Sequence, residues 1–319
     1  METKLIGSQK LNERKRYSLD QSPLYKIKSI GQLGDILKTD RKTINYLVSS
    51  NDNYIRFTTQ TDRDIQWPKP SLRRIQKRAA DLLSRIETPE FLHSARRGRS
   101  YITNAAKHSA MLPGLKVDIR KFFQSVRVPA VFHFFRDKML CEPDVAAVLA
   151  KLFTVDRHLP TGGNVSPILS YFTYMDMFAE IDSVARQRDC VMTCLMDDMT
   201  FTGPGATRQL LYDVQCILRR YRLWAHKTQI FKSHQARVIT GVAVTIRGLR
   251  VPYKRQRAIA RDRRELSRAQ SDEMRLDILK HAIGRLHEAA QVDVAWRPRA
   301  VALVARRKII AKRILENGN

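Results

Sequence analysis

Three aspartates carry the chemistry that this sequence can do. Asp197 and Asp198 are adjacent in "VMTCLMDDMTFTG" (191–203), between two short runs of apolar and β-favouring residues, and the stretch reads as a hairpin with two carboxylates at its turn. Asp118 ends a short apolar strand in "MLPGLKVDIRKFFQSV" (111–126), 79 residues before Asp197. Adjacent carboxylates repel each other unless something cationic sits between them. A third carboxylate from a strand end completes an oxygen cage suited to a hard cation such as Mg²⁺, which takes a few carboxylates together with substrate phosphates. Two such ions, ~3.5–4 Å apart, activate an attacking hydroxyl and neutralise a leaving pyrophosphate. An isolated Asp-Asp turn is common, so spacing alone does not establish this site.

The elements that must position these groups follow from periodicity. "NYIRFTTQTDRDIQWPKP" alternates aromatic and β-branched residues up to Pro68, which predicts a strand or hairpin feeding a helix. That helix covers 70–86, with Leu72, Ile75, Ala79, Leu82, Leu83 and Ile86 at helical spacing. Further helices are predicted over 143–155, 167–187 and 206–222, and two strands in "ARVITGVAVT" and "LRVPY". From about 253 the pattern is entirely helical. Arg257, Arg261, Arg264 and Arg268 step by four, three and four and form one basic stripe, while Leu276, Leu279, Ile283, Leu286 and Ala290 form an apolar one. Tyr253 opens the basic helix. Trp67, Trp224 and Trp296 read as packing residues.

Composition narrows the partner. The chain of 319 residues carries 58 Lys and Arg against 31 Asp and Glu, a net charge of +27. Residues 250–319 alone hold 18 basic and 8 acidic side chains, +10. Self-repulsion of this size fits a polyanionic partner, nucleic acid before an anionic membrane surface. The uncharged run "LPTGGNVSPILSYFTYM" is too short and too rich in Pro and Gly to span a bilayer, and the basic N-terminus lacks the apolar core of a secretory signal. Cys141, Cys190, Cys194 and Cys216 have no paired metal spacing and read as free thiols of a reduced, cytoplasmic protein with no membrane partner.

The order of the motifs resembles a known family, the reverse transcriptases, and within it the bacterial retron type. "DIRKFFQS" looks like the first palm motif, "LPTGGNVSP" like the box usually written LPQGxPxSP, and "LMDD" stands where the family has Tyr-x-Asp-Asp. "RDIQWP" matches the Arg-x-Ile-x-x-Pro pattern of the fingers, and "HKTQIFKSH" the motif whose lysine approaches the leaving phosphate. "NAAKH" (104–108) fits the Asn-Ala-x-x-His signature of retron enzymes, and "ITG" (239–241) stands for their Val-Thr-Gly. These matches are collinear over about 60–250. Thr161 replaces the usual Gln, Asn164 and Val165 alter the tail of that box, and Leu195-Met196 replace Tyr-Ala before the aspartates. Leu195 keeps apolar bulk and loses only the hydroxyl, and Met196 reads as adaptable apolar filler.

The resemblance implies an α+β right-hand polymerase fold. A basic segment covers 1–29, fingers 30–115 and 139–168, a palm with an antiparallel sheet and helices 116–138 and 169–248, and a basic helical thumb 249–319. It implies an RNA-directed DNA polymerase. Its catalytic residues are Asp118, Asp197, Asp198 and Lys227, and the three aspartates hold two Mg²⁺ ions that Mn²⁺ can replace. Arg63, Phe123, Thr161 and Gly162 bind the nucleotide, with Phe123 as the gate against ribonucleotides. Asn104, His108 and the arginine stripe (Arg257, Arg261, Arg264, Arg268) contact RNA. The expected partners are dNTPs, a cognate structured non-coding RNA and its branched RNA–DNA product (msDNA), host RNase H, and a separate effector of an anti-phage defence system. Two alternatives stay open: another bacterial defence-type reverse transcriptase, or a catalytically dead RNA-binding scaffold of the same fold.

Overall fold

The computed structural model describes residues 16–60 and 62–317. Residues 1–15 of the expected N-terminal segment lie outside the described residues. In chain order, α1 (Ile30–Leu37) and α2 (Arg41–Ser49) precede the hairpin of β1 (Tyr54–Thr58) and β2 (Asp64–Pro68), and α3 (Pro70–Leu83) follows. Then come α4 (Tyr101–Ala106), β3 (Gly114–Ile119), α5 (Phe122–Ser125), α6 (Val128–His133), α7 (Pro143–Phe153), α8 (Ser166–Thr173) and α9 (Met175–Gln187). The Asp-Asp hairpin is β4 (Val191–Leu195) and β5 (Asp198–Thr202), succeeded by α10 (Arg208–Arg220) and β6 (Ala225–Phe231). The strands β7 (Arg237–Ile239), β8 (Val242–Thr245) and β9 (Gly248–Arg250) lead into α11 (Tyr253–Arg268), α12 (Asp272–Val292) and α13 (Arg297–Asn317). The pairs β1–β2, β3–β5, β4–β5, β7–β8 and β8–β9 are antiparallel and mixed with helices, which bears out the α+β class. Among the described residues no helix is long and apolar enough to cross a membrane.

Two compact units share these elements. The first comprises the chain up to Arg97, Ile119–Ile181 and Gln215–His226; the second comprises Gly98–Asp118, Asp182–Val214 and Lys227–Asn319.

In the first unit, α3 begins with Pro70 at its first turn, where the missing N–H costs nothing, and buries Leu72, Ile75, Ala79, Leu82 and Leu83. The stretch expected as one helix over 167–187 breaks at Tyr174 (φ −119°, ψ 25°). The Tyr174 ring at this break packs against Phe122, 6.1 Å between centroids. Phe122 is thus core. Trp67 and Trp224, expected to pack, are 41% and 58% exposed.

The second unit is built on the sheet β4–β5–β3–β6. Alternation sorts its residues cleanly. Leu115, Val117, Met192, Cys194, Met199 and Phe201 are buried on one face. Lys116, Asp118, Thr193, Leu195, Asp198, Thr200 and Thr202 share the other face, as the register Asp118↔Asp198, Lys116↔Thr200 and Thr193↔Thr200 requires. The small sheet β7–β8–β9 makes three strands where two were expected, because Thr240 (φ 46°) and Gly241 (φ 86°) turn the chain inside the first expected strand and split it into β7 and β8. Ile239, Val242 and Val244 pack with Ala105 of α4 and with Ala289 and Val292 of α12. Leu279, Ile283 and Leu286 lie on the buried face of α12, as their spacing predicts.

Candidate active site

The hairpin closes on a two-residue turn, Met196–Asp197, with Leu195 opposite Asp198. Met196 holds φ at 60°, a left-handed conformation that costs a non-glycine residue about 1–3 kcal/mol. The buried Cys194 thiol donates to the Met196 carbonyl at 3.3 Å and helps to hold the turn. Met196 is therefore a strained turn residue with an exposed side chain, and the reading as apolar filler is corrected. Burial, with the nearby Asp197 and Asp198 charges adding to it, pushes the Cys194 thiol well above its ordinary range, which makes it inert.

Asp198 and Asp118 are direct cross-strand partners. Such residues have Cβ atoms ~4.5–5.5 Å apart, and like charges there are destabilising. The Lys116 ammonium answers this, 2.7 Å from Asp198 Oδ2. The other oxygen, Asp198 Oδ1, is buried without a hydrogen-bond partner. Burial raises the Asp198 carboxyl above its ordinary value; Lys116 opposes the shift and Asp118 adds to it. Among the described residues no three His, Cys, Asp or Glu side chains converge closely enough to hold a metal alone. What the chain provides is a facing pair, Asp118 and Asp198, with Asp197 in the adjoining turn. An orphaned carboxylate oxygen among hard oxygen donors fits a divalent cation whose remaining ligands are substrate phosphates.

Lys227 lies on β6, the strand beside the one that bears Asp118, and is exposed with φ 48°. The remaining predicted nucleotide-site residues belong to the first unit. Arg63 is exposed in the loop joining β1 to β2. Thr161 donates its hydroxyl to the Asp64 carbonyl at 2.6 Å and its N–H to Gln66 Oε1 at 3.1 Å. A Cβ on Gly162 would meet Gln66 O at 2.8 Å and Ile65 Cγ2 at 2.9 Å, so only glycine lets the loop lie this close to β2. The strand following Arg63 is thereby fastened to the loop of Thr161 and Gly162. Phe123 lies on α5, stacked on Phe122 at 6.3 Å. Replacing Thr161 with valine removes the hydroxyl bond of this fastening, worth about 1 kcal/mol. The expected result is a KM for dNTP raised ~5-fold with kcat unchanged, and its reversal in Thr161→Ser; steady-state kinetics decide it.

The two signature motifs turn inward. Asn104 is fully buried and donates to Thr240 Oγ1 at 3.4 Å, and Thr240 donates to the Tyr101 carbonyl at 2.9 Å. Ser100 starts α4 with a capping box that fixes this geometry. His108 is 6% exposed, its two ring nitrogens within 2.8 Å of Thr202 Oγ1 and 2.7 Å of Thr193 Oγ1. Both side chains were expected to contact RNA. In the structure Asn104 is instead turned into the core, and the His108 ring lies between two threonine hydroxyls of the central sheet. The arginine stripe behaves otherwise: Arg257, Arg261, Arg264 and Arg268 are all exposed on α11, and Arg257 lies 5.9 Å over the 74%-exposed Tyr253 ring.

Two residues escaped the sequence reading. Lys116 lies two residues before Asp118, and a period of two already places it on the same face. Arg237 left no such signal. It is buried over Phe231 and donates to the Ala110, Leu112 and Lys232 carbonyls at 2.7–3.3 Å, bracing the turn that enters β3. Its guanidinium fills the space where a Cβ on Gly114 would stand.

Residues 51–257 match the family described as reverse transcriptase (RNA-dependent DNA polymerase). The chain is 26% identical over 231 residues to the retron Se72 reverse transcriptase of Salmonella heidelberg, covering 69% of this chain and 61% of that one. It is 29% identical over 202 residues to the retron Mx65 reverse transcriptase of Myxococcus xanthus, covering 56% and 47%. The retron Mx162 reverse transcriptase of the same organism is 25% identical over 244 residues, covering 65% and 50%. The chain thus spans about half to three-fifths of the length of these relatives. These similarities bear out the retron-type resemblance read from the motifs, and the family match, which covers most of the chain and encloses all three aspartates, shows that the chain belongs to the reverse transcriptases.

Proposed function

We propose that this protein copies RNA into DNA and that its product is a branched, RNA-linked single-stranded DNA made on a cognate structured RNA. The observation that carries the reading is the facing pair Asp118 and Asp198, with its orphaned buried oxygen, inside a reverse transcriptase domain. In this reading Asp118, Asp197 and Asp198 hold two Mg²⁺ ions, replaceable by Mn²⁺, which supply activation of the attacking 3′-hydroxyl and charge neutralisation at the pyrophosphate. Lys227 and Arg63 offer positive charge to the triphosphate, and Phe123 screens the sugar against a 2′-hydroxyl. Leu195 meets the primer end without a hydroxyl to offer, which bears on rate and fidelity rather than on metal binding.

The sheet carrying the aspartates serves as palm, the β1–β2 hairpin belongs to the fingers, and α11–α13 form the thumb. The arginine stripe on α11 grips RNA by its phosphates and shape. The similarity to retron enzymes supports a cytoplasmic role in anti-phage defence with a separate effector, and with host RNase H trimming the template. The dead-scaffold reading is disfavoured by the facing carboxylates themselves, since a site without metal chemistry gains nothing from a self-repelling pair.

The test is expression of the gene with its flanking DNA. A short DNA species linked to RNA, resistant to deproteinisation, is expected with wild type and absent when Asp197 and Asp198 are both alanine. Its absence with wild type, or its persistence in the double variant, overturns the reading.

A further inference from the structure

Lys116 and Thr200 form a pair whose arrangement bears on how metal enters the site. Lys116 sits diagonally from Asp198, and its ammonium is bound to Oδ2 at 2.7 Å. Its direct cross-strand partner is Thr200, two residues beyond Asp198 on β5. The Thr200 hydroxyl oxygen is buried and has no hydrogen-bond partner, although the neighbouring Thr193 and Thr202 hydroxyls are both bonded to His108. An ammonium on a flexible four-carbon stem therefore has two acceptors within the sweep of one side chain: the Asp198 carboxylate, which it occupies, and Thr200 Oγ1, which stands empty.

We propose that Lys116 is an exchangeable counter-ion of the metal site: it neutralises Asp198 when metal is absent and withdraws to the Thr200 hydroxyl when a divalent cation binds. This rests on the metal-binding reading of Asp118, Asp197 and Asp198. The physical case is one of competition. A carboxylate cannot serve an ammonium and a divalent ion together without placing two cations beside each other, and the divalent ion carries twice the charge. Withdrawal would otherwise leave the ammonium in a part-buried position without an acceptor, a costly state that the orphaned Thr200 oxygen relieves. Two consequences have opposite sign. Lys116 weakens metal binding by the fraction of time it occupies Asp198, and Thr200 strengthens it by stabilising the withdrawn state.

Mn²⁺ titration followed by electron paramagnetic resonance, without nucleotide or nucleic acid, reads both consequences directly. Lys116→Met is expected to lower the Mn²⁺ dissociation constant about tenfold, as follows if Lys116 holds Asp198 roughly nine-tenths of the time. Thr200→Val is expected to raise it about threefold, with the hydroxyl lost and the shape kept. Lys116→Met/Thr200→Val should match Lys116→Met alone, because Thr200 acts only through the lysine. Thermal unfolding in EDTA checks that each variant folds. Unchanged or weaker Mn²⁺ binding by Lys116→Met overturns the proposal, and so does a Thr200→Val effect that persists in the double variant. Asp198→Asn separates the two levels. If it loses Mn²⁺ while Lys116→Met binds like wild type, only the counter-ion role fails; if wild type binds no Mn²⁺, the metal reading fails with it.

Discussion

Asp198→Asn is expected to lose nucleotide addition by about 10³-fold or more, yet to be at least as stable as wild type in metal-free buffer at neutral pH. The loss follows from chemistry: an amide is neutral, and it cannot hold a hard divalent cation at the charge density that the reaction demands. The retained stability follows from the site. Asp198 is part-buried, faces Asp118, and leaves one buried oxygen unbonded, and its carboxyl is raised above the ordinary carboxylate value by desolvation. Between the ordinary value and the raised one the folded protein binds more protons than the unfolded chain. Stability therefore falls as pH rises through that interval, and the ionised carboxylate is a net cost above it. The asparagine variant carries no such titration. In EDTA, the melting temperature of wild type relative to the variant should climb as pH is lowered through the interval and stay lowest at neutral pH. Loss of the Lys116 ion pair offsets this only in part, since the Thr200 hydroxyl offers the released ammonium another acceptor. Primer extension on an RNA template measures the first claim, and activity within tenfold of wild type would sink it. A variant that unfolds earlier than wild type at neutral pH would refute the second.

Replacing Arg257, Arg261, Arg264 and Arg268 together by alanine is expected to weaken RNA binding about 10²-fold at ~0.1 M salt and to flatten its salt dependence by ~3–4 units of slope. All four lie exposed on one face of α11. Arg261 shares charge with Glu265 at 3.6 Å, so it should give the smallest single effect. The helix keeps its place without them, because Leu266 and the buried Asp262, which is ion-paired with Arg285, attach it to α12. Circular dichroism should therefore be unchanged. The slope of log K against log salt is the discriminating measurement: a weakened affinity with an unchanged slope would mean that the stripe does not touch phosphates.

Much of the candidate site was legible in the sequence because it depends on short periods. The short apolar runs in 114–119 and 191–202 predict a strand and a hairpin, and Asp118, Asp197 and Asp198 then fall at a strand end and a turn. Helical spacing gave α3 and the packed face of α12 in the same way. The tertiary structure decided what depends on partners distant in sequence. Asn104 and His108 look like polar residues free for RNA until Asn104 is seen against Thr240 and His108 between Thr193 and Thr202. The expected helix over 167–187 breaks at Tyr174, whose backbone leaves the helical region where its ring packs against Phe122. Met196 reads as filler because side-chain type says nothing of the left-handed backbone imposed by a two-residue hairpin.

By itself, the sequence determined the excess of positive charge, the helix and strand periods and the identity of the acidic residues, since composition and period are properties of neighbours along the chain. The register of β3 against β5, which sets Asp118 opposite Asp198 and gives Lys116 a choice between Asp198 and Thr200, was decided only on folding. A pairing between segments some 80 residues apart is fixed by which faces bury together, and no local pattern encodes it.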